Sequence, residues 1–90
     1  MSPNELVEVK RKEIEEEVTR HGFFKLTCSH HINDGRTALI EHSTSKWEGI
    51  LTVNTTGYSV EGDNFSWIGQ HAKELLRYLD EVLTKHYRKQ

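Results

Sequence analysis

"FFKLTCSHHINDGRTALIEHS", Phe23 to Ser43, is the stretch whose reading decides the fold. Phe24, Leu26, Cys28 and His30 alternate with Phe23, Lys25, Thr27 and Ser29. A period of two puts the first set on one face of a strand and the second on the other. Asn33-Asp34-Gly35 are residues that tolerate positive φ, so the chain turns there, and Arg36 to Ser43 reads as the returning strand of a hairpin. With a three-residue turn, Cys28 faces Ile40 and His42 faces Leu26, and Cys28, His30 and His42 share one face.

On the N-terminal side the period is helical. Ser2 can cap the first free N–H groups, Pro3 fits the first turn and Glu5 can complete a capping box, so residues 3 to 20 are expected to be helical. Val7, Ile14 and Val18 form a thin apolar stripe with Leu6 beside it, and Gly22 ends the helix in the left-handed conformation. On the C-terminal side, Trp47 to Asn54 is a third strand with Trp47, Leu51 and Val53 on one face. Thr55-Thr56-Gly57 then turns it into a short fourth, Tyr58 to Glu61. Gly62-Asp63-Asn64 breaks the sheet, and Asn64 or Ser66 is expected to cap the last helix. That reading puts Trp67 in the first helical turn, with Ile68, Ala72, Leu75, Leu76, Leu79, Val82, Leu83 and His86 following at helical spacing.

The expected fold is a single α+β domain over residues 1–90, in the order α-β-β-β-(β)-α. Its antiparallel sheet has three or four strands, with the C-terminal helix packed across one face. Ninety residues suffice for one core. A charged fraction of 29% against 34% hydrophobic residues leaves the chain foldable. Net charge is −2, so no global field draws it to nucleic acid or an anionic membrane. The single cysteine excludes an intramolecular disulfide, and no apolar run reaches the length of a spanning helix or a signal peptide core. A soluble, cytoplasmic protein is the expectation.

Cys28, His30 and His42 are the candidate metal or redox set, since zinc takes three or four converging nitrogen and sulfur ligands. Against it, Cys28 falls where the C-terminal helix should cover the sheet, and a lone cysteine there behaves as a small buried hydrophobe. There is no CxxC, no HExxH and no second cysteine. A nucleophilic triad of Cys28, His42 and Glu41 fails because Glu41 alternates to the face opposite His42. The glycines of "GYSVEGDN" have no phosphate-binding spacing. No cofactor and no catalytic residue is therefore assigned, and the protein is expected not to be an enzyme.

Phe23 and Tyr78 fall on faces that the pattern leaves outside, and Trp67 is a large anchor; aromatics of this kind mark contact surfaces. The acidic run "EIEEE" contributes Glu13, Glu16 and Glu17 as a charged rim. The expected function is protein–protein interaction by a regulator, inhibitor or accessory subunit. Its partner is another protein or a second copy of the chain, as in a homodimer.

The order helix, three strands, helix resembles the double-stranded RNA-binding domain over most of the chain. The resemblance implies a phosphate-holding lysine cluster at the start of the second helix, where "SWIGQHAKELL" has Lys73 as its only lysine. RNA binding is therefore not carried over from the resemblance, and nucleic-acid binding stands as an alternative through Lys10, Arg11, Lys12, Arg36, Lys46, Lys73 and Arg77 if the fold gathers them.

Overall fold

A computed structural model describes residues 2–32, 35–62 and 65–86, with the side chains of Cys28, Ser29, His31, Phe65 and His86 outside that description. Among the described residues there are two helices and five strands: α1 (Pro3–His21), β1 (Phe24–Ile32), β2 (Gly35–His42), β3 (Trp47–Asn54), β4 (Gly57–Gly62), β5 (Phe65–Gly69) and α2 (Ala72–His86). The strands form one antiparallel meander in the order β1-β2-β3-β4-β5.

Ser2 and Gly22 cap α1 as expected. Ser2 Oγ accepts from the Glu5 N–H at 3.3 Å, and Gly22 at φ 74° donates its N–H to the Val18 carbonyl at 3.1 Å. α1 buries Val7, Ile14 and Val18, and α2 buries Ala72, Leu75, Leu76, Leu79 and Leu83. Both stripes join one core with Phe24, Ile40, Trp47, Leu51, Val53, Tyr58 and Val60 from the sheet. α1 packs on β1, β2 and β3 and also on α2, and α2 packs on β5, so both helices cover the same sheet face.

β5 corrects the sequence reading. Phe65–Gly69 pairs with β4, with Val60 opposite Trp67 and Ser59 opposite Ile68. Trp67, Ile68 and the expected cap Ser66 are therefore strand residues, and α2 begins at Ala72; Asn64, the other expected cap, lies outside the described residues. Ile68 and Trp67 fit either period over so short a run, and pairing to β4 decides between them. Trp67 lies on the helix-bearing face with its ring above Gly69, where an added Cβ would overlap the indole. The indole of Trp47, fully buried, lies above Gly49 and Gly62 in the same way.

The hairpin register is also corrected. Ile32 pairs with Gly35, leaving two residues between the strands where three were expected. That change alone would turn Phe24 and Leu26 away from the core. A bulge between Thr27 and His30 takes up one extra residue and turns them back, so Leu26 faces Ile40 and Phe24 faces His42.

Tyr58 fastens α1 to the sheet. Its hydroxyl donates to the Lys10 carbonyl at 2.9 Å, and the Lys10 ammonium lies 5.7 Å from the ring centroid. Burial, reinforced by the charge of Glu13, pushes the Tyr58 phenol well above its ordinary range.

Candidate functional site

With both helices on one face, the other face of the sheet is bare of any element among the described residues. By alternation it carries Lys25, Thr27, His30 and Ile32 from β1 and Thr37, Leu39 and Glu41 from β2. β3 adds Glu48, Ile50 and Thr52, β4 adds Ser59 and Glu61, and β5 adds Ser66 and Ile68. Leu39 is directly opposite Ile50, and Thr52, Ser59 and Ile68 form the next row. Ile68 is 80% exposed and Ile50 53%, the two most exposed large hydrophobic residues described. Glu41 is opposite both Lys25 and Glu48, and Glu61 is opposite Ile50. Lys25 offsets Glu41, and Glu48 and Glu61 leave the face net negative; Glu41 and Glu48, like charges directly opposite, cost the fold stability.

The aromatic anchors expected from the sequence divide into two places. Trp67 and Tyr78 meet: their rings stack with centroids 5.2 Å apart and planes 20° from parallel, on the helix-bearing side at the β5 edge. Phe23 is about half exposed and precedes β1, on the strand at the other end of the sheet, where its carbonyl accepts from the Ser43 N–H at 2.9 Å. The three aromatics do not form one patch. Glu13, Glu16 and Glu17 line a shallow groove with His71, Ala72 and Lys73, along the start of α2. Carboxylates there complement the positive end of the α2 dipole, a structural reason for the acidic run. Glu17 also pairs with Arg20 at 2.9 Å.

The Cys28, His30 and His42 set is not brought to one face. The bulge pairs His30 with Thr37, which puts it on the bare face and exposes it, whereas His42 is fully buried on the helix side. The Cys28 side chain lies outside the described residues. Among the described residues no group of three or more His, Cys, Asp or Glu side chains converges as a metal site.

His42 instead joins a relay, buried at His42 and Ser45 and partly exposed at Asp80, that the sequence did not reveal. Its Nδ1 accepts from the Ser45 N–H at 3.3 Å and lies 2.7 Å from Ser45 Oγ. Because a backbone N–H can only donate, the neutral ring carries its proton on Nε2 and donates to Asp80 Oδ1 at 2.8 Å. The order Ser–His–Asp resembles a hydrolytic triad in composition, but Ser45 and His42 are both buried. What the relay does is tie the β2–β3 turn to α2; Phe24 packs on the ring at 4.9 Å.

The basic residues considered for nucleic acid are spread over α1, β2, the β2–β3 turn and α2. Arg11 is bound by Glu8 at 2.9 Å and Glu15 at 2.7 Å, and Arg36 by Glu8 at 3.1 Å. The hydrogen bond with Glu8, ahead of that with Glu15, holds the Arg11 guanidinium above even its usual range. This network rims a cleft of about 150 Å³ floored by Ile14, Leu26, Ala38, Leu51 and Val53, beside the β1 bulge.

These features define an α+β domain with one covered and one bare sheet face. No family model, no curated protein and no solved structure matches the chain. Among the described residues no helix is long and apolar enough to cross a membrane.

Proposed function

We propose that the protein is a non-enzymatic protein-binding module, a regulator, inhibitor or accessory subunit, whose working surface is the bare sheet face. The observation that carries this reading is the exposure of Ile50 at 53%, opposite Leu39 and flanked by Glu41, Glu48 and Glu61. An apolar centre within a charged rim is the anatomy of a protein interface. The occupant it fits is a protein surface with an apolar ridge and flanking Lys or Arg side chains, because the acidic rim favours a basic partner and disfavours face-to-face packing of two copies. The single cysteine supports action in a reducing compartment, the cytoplasm.

The test is site-specific photocrosslinking in the source cells, with a photoreactive residue at Ile50 and, as a control, at the exposed helix position Lys73. The reading expects a discrete adduct from Ile50 alone, lost on Glu41→Lys with Glu48→Lys. Equal adducts from both positions, no adduct, an adduct indifferent to the charge reversal, or one of twice this chain's mass would overturn it.

A further inference from the structure

We propose that β5 is a self-pairing edge, through which two copies of this chain join antiparallel into one continuous sheet. β5 ends the strand order, and among the described residues its only strand neighbour is β4. An open edge offers a row of unpaired N–H and C=O groups. Proteins that remain monomeric blunt such edges with charge, proline or a bulge. The opposite edge, β1, has these devices: the bulge between Thr27 and His30, and Lys25 within the strand. β5, Phe-Ser-Trp-Ile-Gly, has none of them.

The occupant follows from the residues. A strand without charge can meet its own copy with no like-charge contact, whereas the bare face would set Glu41, Glu48 and Glu61 against one another. A two-fold axis at Trp67 places Ser66 opposite Ile68 of the second copy, so a small hydroxyl side chain lies beside the most exposed isoleucine described. On the other face the same axis brings together the two Trp67–Tyr78 stacks, whose Tyr78 is 45% exposed in the single chain. Pairing therefore satisfies the free edge and, in the same step, flanks Ile68 on the bare face and brings the half-exposed aromatic stacks together on the other. The inference does not rest on the function proposed above; the joined sheets would present two bare faces side by side.

Sedimentation velocity on the full chain, up to millimolar concentration, tests it. The wild type is expected to show a reversible monomer–dimer equilibrium. Ile68→Glu sets two carboxylates near the axis and weakens the dimer by roughly tenfold or more. Far-UV circular dichroism should stay unchanged, because the replaced side chain makes little contact within the chain. Adding Ser66→Lys to Ile68→Glu sets opposite charges across the axis, and beside Glu61 in the same chain, and is expected to restore the dimer. A monomer at every concentration, a dimer undiminished by Ile68→Glu, or a failure of the second substitution to restore it would each overturn the proposal. Loss of the dimer with the Ile50 adduct retained would separate this inference from the proposed function.

Discussion

Gly62→Ala is expected to destabilise the protein through one side chain, and that makes it a sharp test of the core. A Cβ at Gly62 would overlap Cζ2 of Trp47 and lie 2.7 Å from Cε2 and from Nε1, so its three nearest neighbours belong to one indole. Carbon contacts are comfortable at about 3.5 to 4.0 Å, and Trp47 is fully buried, with no solvent side to retreat to. Overpacking of this kind costs about 1 to 3 kcal/mol. The gain from replacing glycine within a strand, roughly 0.5 to 1 kcal/mol, offsets part of it. We expect a net loss near 1 kcal/mol, which for a domain of this size lowers Tm by roughly 4 to 8 °C. Trp47→Phe removes the atoms that would be struck and by itself costs about 2 kcal/mol in lost burial. In the double variant the new methyl group enters the space the indole left, so the losses should fall short of their sum by about 1 to 2 kcal/mol. Urea unfolding of the four proteins, followed by circular dichroism at constant m-value, measures that coupling. Strict additivity would refute the placement of the indole over Gly62.

Two further outcomes follow from the contacts between helices and sheet. The Tyr58 phenol, whose ordinary value is near 10, keeps its proton in the folded state at a pH where the unfolded chain loses it. Its contribution is complete below that value and declines as pH rises beyond it, by at most about 1.4 kcal/mol per pH unit. Tyr58→Phe should flatten this decline; equal slopes for both proteins in urea melts between about pH 9 and 11 would contradict the burial of the phenol. Asp80→Ala removes the acceptor of a buried imidazole N–H and should cost about 1 to 2 kcal/mol, while Asp80→Asn, which keeps an acceptor oxygen, should cost less than half of that. Equal losses for the two, or none, would remove the relay as a tie between α2 and the β2–β3 turn.

The parts of the fold that were legible are those in which local chemistry and tertiary packing agree. Ser2-Pro3, Gly22, the stripes of α1 and α2, and the alternation of Trp47, Leu51 and Val53 all carry their own period or cap. β5 was hidden because Trp67 and Ile68 lie between two breaks, in a run too short for either period to prevail. A signal was nonetheless present. Trp47-Glu48-Gly49 and Trp67-Ile68-Gly69 repeat one pattern, and two residues on is the next position on the same strand face, where a glycine leaves room for the indole. In a helix Gly69 would carry only a cost. The β1 bulge left no comparable trace, because the loop length and the extra residue cancel in face parity for Phe24 and Leu26 and differ for the residues between the bulge and the turn, His30 and Ile32 among them. For the candidate site, the exposure of Phe23 and Tyr78 was readable, but their separation was not. The partners of His42 lie in a turn and in a distant helix, and no spacing rule connects them.

The bare face follows from how little apolar surface the helices offer. α1 contributes three buried residues, Val7, Ile14 and Val18, and α2 contributes five, Ala72, Leu75, Leu76, Leu79 and Leu83. Together they cover one side of a five-stranded sheet, and among the described residues no further element reaches the other. Such a sheet is stable in water when its open side is mostly polar. The threonines, serines and glutamates of that side meet this need, whereas Ile50 and Ile68 do not. Ile50 faces Leu39 across the ladder, a pair that supports the sheet, whereas replacing Ile68 by threonine would keep strand propensity and remove exposed apolar surface, so folding alone gives no reason for isoleucine at that position. That Ile68 stands on an uncharged edge, and that Leu39 and Ile50 stand among Glu41, Glu48 and Glu61, is the strongest argument that this side of the molecule is built for contact.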